Sequence, residues 1–269
     1  MWTRNDLKLQ AKESLKVNYW KGFLVALILS FLSGGIGSGF SSIIQIVSTF
    51  GSSRTSSTVD FKEFSDSFLN FSNRDMEFIS VLIIILIVVF VISMIFSIVY
   101  TFLVINPFQV GSMKYFISAR KESGDLSDMI FSFKKGRYAA SVKAMAWKFL
   151  FENLWSLLFV VPGIVKGYAY SMVPYLMADN PELDYKSALK LSMHMTDGQK
   201  GRIFVLDLSF IGWGLLAILT LGIGFLFLAP YYFATKAELY IALKKIAIEE
   251  GIIVPIELQQ ELAPVSEQS

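Results

Sequence analysis

Five charged side chains stand in stretches that are otherwise apolar: Lys148, Glu152, Asp207, Lys236 and Glu238. A charge is costly in an apolar environment, so residues of this kind mark polar cavities, ion or substrate paths, or headgroup sites. Lys148 and Glu152 are four residues apart, the spacing that puts two side chains on one face of a helix and lets them pair. Asp207, Lys236 and Glu238 belong to two later apolar stretches. Converging, the five would form a polar cluster inside a helical bundle, suited to a transporter or to a lipid headgroup site. The ordinary alternative is that each side chain snorkels to the membrane interface and pairs there at little cost.

A second set of charges has a different pattern. Lys8, Lys12 and Lys16 recur every four residues among Leu7, Leu9, Ala11 and Leu15. A helix that lays lysines on phosphates and buries leucines in the acyl boundary has this form, although a solvated lead-in helix would also accommodate it. Arg120 and Lys121 lie in a second basic, amphipathic segment, residues 108–141. These five cations are the candidate lipid-headgroup contacts, each contributing about 1 kcal/mol near an anionic leaflet.

Other chemistries are excluded by what the chain lacks. It has no cysteine and a single histidine, His194. Thiol catalysis, disulfides and Cys-based metal centres are therefore ruled out, and no metal or cofactor is expected. No H-E-x-x-H, phosphate-binding loop or G-x-S-x-G pattern occurs, so the chain reads as a non-enzyme. A net charge of +2 gives no electrostatic ground for nucleic acid.

The elements that must position these residues are apolar helices. Hydrophobic residues make up 54% of the chain and charged residues only 17%, against roughly 25% in soluble domains. Mean hydropathy is +0.54. No charge interrupts the run from Phe78 to Ile105, which is long enough to cross a hydrocarbon core about 30 Å thick. The expected fold is all-α: a polytopic membrane protein with about six transmembrane helices plus amphipathic interfacial helices. The spans are about 20–47, 78–105, 143–161, 163–178, 203–221 and 225–244, in one integral membrane domain, 1–248. A polar tail, 249–269, follows. Gly34 and Pro230 are expected kinks, and Asn106-Pro107 ends the second span. Pro162-Gly163 signals a turn between spans three and four, the alternative being one long kinked helix over 143–178. Asn180-Pro181-Glu182 reads as the start of a helix running to Thr196. In this arrangement only Arg54, Lys62, Arg74 and Lys166 fall on one side of the membrane and all other Lys and Arg on the opposite side. The excess puts both termini in the cytoplasm.

Several motifs together carry a family resemblance. The opening Leu7-Lys-x-x-Ala-Lys-x-x-Leu15 with Asn18-Tyr-Trp-Lys21, and then Asn106-Pro-Phe-x-x-Gly111, resemble bacterial domain-of-unknown-function family 975. So does the stretch from Ser187-Ala-Leu-x-x-Ser192 through Gly198-x-Lys200 and Leu208-Ser-Phe-Ile-Gly-Trp213 to Thr220-x-Gly-Ile-Gly224 and Pro230-Tyr231. The resemblance covers nearly the whole chain. It implies a multi-pass protein of the bacterial cell membrane and no particular activity. Two functions stay open: an accessory or adaptor protein that binds membrane lipids, a partner membrane protein or a second copy of itself, and a small transporter or channel that uses the acidic cluster.

Overall fold

A computed structural model describes residues 2–33, 73–120, 124–134, 136–220 and 222–252. The described residues form helices and connecting turns, with no strand among them. The chain divides into two compact units, Met1–Gly35 with Phe102–Ser269, and Ile36–Thr101.

In the first unit, helix α1 (Arg4–Leu32) starts at Thr3, whose side chain accepts a hydrogen bond from the Asp6 amide. Leu7, Ala11, Leu15, Asn18, Gly22, Val25 and Leu29 are buried along it, a stripe at the three- and four-residue spacing of one helix face. The element α1 thus joins two helical stretches, the expected interfacial helix and the start of the first span, across a kink. The kink is at Asn18 (φ −114°, ψ 15°), where the side-chain amide donates to the Ala119 carbonyl at 3.3 Å. The expected kink at Gly34, the rest of the first span to residue 47 and the polar tail from residue 253 lie outside the described residues.

The second unit contributes helix α2 (Asn73–Tyr100), in which every residue from Val81 to Val99 is exposed. A π-helical turn, Thr101–Ile105, leads into helix α3 (Asn106–Ser118) of the first unit. Asn106-Pro107 thus lies within a continuous helical run, Phe78–Ser118, where the sequence suggested a stop, with the π-helical turn immediately before it. A 3₁₀ helix, Leu126–Phe133, packs on α3. It is capped by Asp125, which accepts from the Ser127 amide and hydroxyl at 3.0 and 2.6 Å. These bonds, the hydroxyl first, hold the Asp125 carboxyl below its ordinary range. The two elements touch at Gly111, where a Cβ would sit 2.0 Å from the Met129 carbonyl oxygen.

Helix α4 (Tyr138–Leu158) ends at Phe159, which is extended (φ −155°, ψ 141°), and α5 (Val160–Ala169) follows at once. The chain doubles back here. A Cβ on Gly163 would lie 2.7 Å from the Ser156 Cα, far closer than residues seven apart approach within one helix. The two-helix reading of 143–178 holds over the one-helix alternative, but the break is at Phe159. Pro162 and Gly163 are already inside the first turns of α5. At 10 residues α5 reaches about 15 Å, half of a hydrocarbon core. The separate short helix α6 (Val173–Asp179) follows it, so 163–178 is not a continuous span.

Helix α7 (Tyr185–Met195) is capped by Asp184, which accepts from the Lys186 amide at 3.1 Å. Asn180 instead accepts from Glu182 N at 3.2 Å and closes a turn around Pro181. Helices α8 (Lys200–Leu219) and α9 (Ile223–Glu249) form the last pair, and α9 continues through Pro230. α9 packs most extensively on α1 and also touches α3, α7 and α8. Among the described residues three helical segments are long and apolar enough to cross a membrane: Arg4–Leu32, Phe78–Ser118 and Lys200–Leu219. α4 and α9 are long enough, but each carries charge within its length.

Candidate functional site

A tight turn sets the register of the last two helices. Gly222 takes the left-handed conformation (φ 87°), its amide donates to the Ala217 carbonyl at 3.0 Å, and Thr220 Oγ1 accepts from the Gly224 amide at 2.9 Å. Helices joined so closely run antiparallel as neighbours. Asp207 on α8 and Lys236 on α9 stand at nearly equal distances along the chain from this turn, so they face each other. Lys236 Nζ lies 2.6 Å from Asp207 Oδ1 and 2.9 Å from Oδ2. Tyr232, one turn before Lys236, donates its hydroxyl to Asp207 Oδ1 at 3.4 Å, and the Lys236 ammonium sits 5.5 Å from the centre of the Tyr232 ring. The lysine side chain is 9% exposed and the aspartate 23%.

This ion pair forms part of the wall of a cavity of about 410 Å³. α4 contributes Lys148 to the wall. The segment from α5 into α6 contributes Tyr168, Met172 and Tyr175, with Phe233 from α9. The cavity is of ordinary size for a ligand site and mixes apolar walls with a few placed polar groups. Lys148 Nζ is 2.9 Å from Glu152 Oε2, on the same face of α4 as their spacing suggested. Glu152 is not part of the cavity wall and supplies counter-charge from outside it.

The five residues of the expected cluster are therefore divided. Lys148, Asp207 and Lys236 share the cavity, and Glu152 is tied to it through Lys148. Glu238 belongs elsewhere. Two residues along a helix turn the side chain by about 200°, so Glu238 points away from the side of α9 that carries Lys236. It meets Arg120 Nε at 2.6 Å, with its own side chain only 3% exposed. Its second oxygen, Oε2, is buried without a partner.

The expected headgroup cations are divided too. Lys8 reaches the Ser209 carbonyl at 3.5 Å and lies 4.5 Å above the Phe210 ring, and Lys12 is 5.9 Å from the Tyr231 ring centre. Lys8 is half-buried, and Lys12 and Lys16 are exposed. Arg120 is turned inward to Glu238, and Lys121 is outside the described residues. No group of three or more acidic or histidine side chains that could hold a metal ion occurs among the described residues.

Some members of these sites had no separate signal in the sequence. Tyr168, Tyr175 and Tyr232 are three among the chain's 11 tyrosines. Of the three, only Tyr232 has a pointer, its four-residue spacing from Lys236. Asp179, which accepts from the Tyr240 hydroxyl at 2.7 Å and from Lys244, is a further half-buried polar junction that spacing does not reveal.

No curated protein and no solved structure matches the chain. A family model described as "Protein of unknown function (DUF975)" matches residues 1–247, and the chain belongs to that family.

Proposed function

We propose that the chain is a non-enzymatic, multi-pass protein of the bacterial cell membrane. In this reading it binds a lipid in the α8–α9 cavity and serves as an accessory or adaptor to a partner membrane protein. The observation that carries the reading is the cavity itself. It is large enough for a headgroup, walled by Lys148, Asp207 and Lys236, and lined otherwise mainly by aromatic and apolar side chains, with Gln109 and Ser171 as further polar groups. Three segments apolar enough to cross a membrane support the location. Lipid identity provides the test. The chain is purified in mild detergent, and bound lipids and co-purifying proteins are identified by mass spectrometry. Met172→Trp, which fills the cavity, is expected to lose a lipid that the unaltered chain retains. Equal lipid content in both would overturn the reading.

A second reading, a small transporter, draws support from one observation. Tyr168, Met172 and Tyr175 come from the interrupted segment between α5 and α6, and interrupted helices line substrate sites in transporters. Flux in liposomes that disappears in Asp207→Asn would favour it.

Both ends of the chain belong on the cytoplasmic side in this proposal, because Lys and Arg concentrate in the segments assigned there. The absence of cysteine allows a direct test with introduced thiols. An impermeant thiol reagent on intact cells should label Ser53→Cys and leave Ser187→Cys untouched. Labelling at 187 would reverse the orientation.

A further inference from the structure

We propose that the cavity takes a zwitterion, a ligand in which a primary ammonium and a phosphate or carboxylate lie close together. The proposal rests on reading the cavity as a binding site and adds the class of ligand.

Charge balance is the first ground. The two cations in the wall each have a carboxylate: Asp207 for Lys236 and Glu152 for Lys148. The four side chains sum to zero. A ligand of net charge would leave that charge uncompensated beside Ile164, Met172 and Phe233, and an unpaired charge held against an apolar wall is unfavourable. A ligand that carries both signs keeps the site neutral.

The second ground is that the cavity is neutral but not uniform. Asp207 is its anionic wall residue, set beside the phenol rings of Tyr168 and Tyr232. The Lys236 ammonium already rests 5.5 Å from one of those ring centres, so the neighbourhood of Asp207 accommodates a cation against an aromatic face. Lys148 comes from a different helix, and its partner Glu152 is outside the wall, so toward the cavity it presents a cation. An ammonium is drawn to Asp207 and the rings, and an anionic group to the lysines. The apolar wall covers the carbon framework between or beyond them.

This chemistry has two sources: the ethanolamine-phosphate headgroup of a membrane lipid, or a soluble zwitterion such as an amino acid. The full chain in detergent is titrated with O-phosphoethanolamine and with glycine, and against these with inorganic phosphate and ethylamine, which carry one sign each. The readout is the shift in melting temperature with ligand concentration. The same chain in nanodiscs is compared in phosphatidylethanolamine and in anionic phosphatidylglycerol. At least one zwitterion should bind about tenfold or more tighter than either singly charged probe, the selectivity expected when one buried charge is left unpaired. Stabilisation by phosphatidylethanolamine but by no soluble probe assigns the site to lipid. Stabilisation by the soluble zwitterions assigns it to a free ligand. Both results support the proposal.

Two variants of matched shape test the charge argument. Asp207→Asn makes the site net positive and should move its preference to inorganic phosphate. Lys148→Gln makes it net negative and should move preference to ethylamine. Should one variant fail to fold, the other still decides. If phosphate or phosphatidylglycerol binds the unaltered chain as tightly as the zwitterions, or a folded variant keeps the original preference, the ligand class is wrong while the cavity remains a binding site. If no probe binds and Met172→Trp changes no bound lipid, the functional reading itself fails, and the proposal with it.

Discussion

Helices α2 and α9 are 28 and 27 residues long, yet they treat their surroundings in opposite ways. α2 is exposed at every position from Val81 to Val99, and no charge interrupts it from Phe78 onward. A helix that is apolar on all sides has only an apolar environment to occupy, and a bilayer supplies one. α9 carries Lys236 and Glu238 in its middle, and both are buried, in a stretch where every residue from Ala234 to Tyr240 is buried. Its charges are tolerated because the turn after α3 and helix α8 bring Arg120 and Asp207 to meet them. Hydrophobicity alone recognises α2. α9 makes sense only with its partners in place.

The comparison can be broken most directly at Arg120. Arg120→Ala leaves the Glu238 carboxylate buried and alone, and losing one partner of a buried pair typically costs about 3–5 kcal/mol. The melting temperature in detergent should fall by several degrees, and Arg120→Leu with Glu238→Leu should recover much of it. An unchanged melting temperature in the single variant would mean that α9 does not depend on its partners. A smaller effect of a different kind is expected on α2. Ile87→Asp should reduce the fraction of chain inserted into membranes, since an acid at a span centre costs about 3 kcal/mol. Ile87→Ser should leave the melting temperature of the purified chain unchanged, and a fall would show that α2 packs against protein. The smallest effect belongs to α4. Lys148 and Glu152 are each about one-fifth exposed, at 21% and 22%. Lys148→Ala should therefore cost about 1 kcal/mol, with most of it restored by adding Glu152→Ala. A loss several times larger would place that pair in surroundings as dry as those of Glu238.

What the sequence shows of this molecule follows the range of each interaction. The Lys148–Glu152 pair is visible because its four-residue spacing is a local fact. Asp207 and Lys236 were marked individually by their apolar context, but not as partners, because their meeting depends on the α8–α9 register. Arg120 and Glu238 were assigned to different roles, headgroup contact and cluster member. Nothing local joins residues that meet only when α3 packs on α9. Breaks in helices were misplaced for a similar reason. Pro107 and Pro162 read as stops, yet Pro107 follows a π-helical turn inside a continuous helical run, and Pro162 is in a first helical turn, where proline loses no hydrogen bond. The break near Pro162 is instead at Phe159, a residue type with no turn preference. Asn180 and Asp184 are both good caps. Only the fold decides that Asn180 closes the turn and Asp184 starts the helix.

The pairing of α1 with α9 has a consequence for how the chain is made. The inner face of α1 is matched by α9, a helix made much later along the chain. Until α9 has been synthesised, Leu7, Ala11, Leu15, Gly22 and Val25 face lipid, solvent or a chaperone. The bundle can close only after the other described helices have been threaded between the two. Contacts so distant along the chain are slow to form. Translation halted after α8 should therefore leave a nascent chain that is inserted yet open along one side, a natural substrate for membrane quality control.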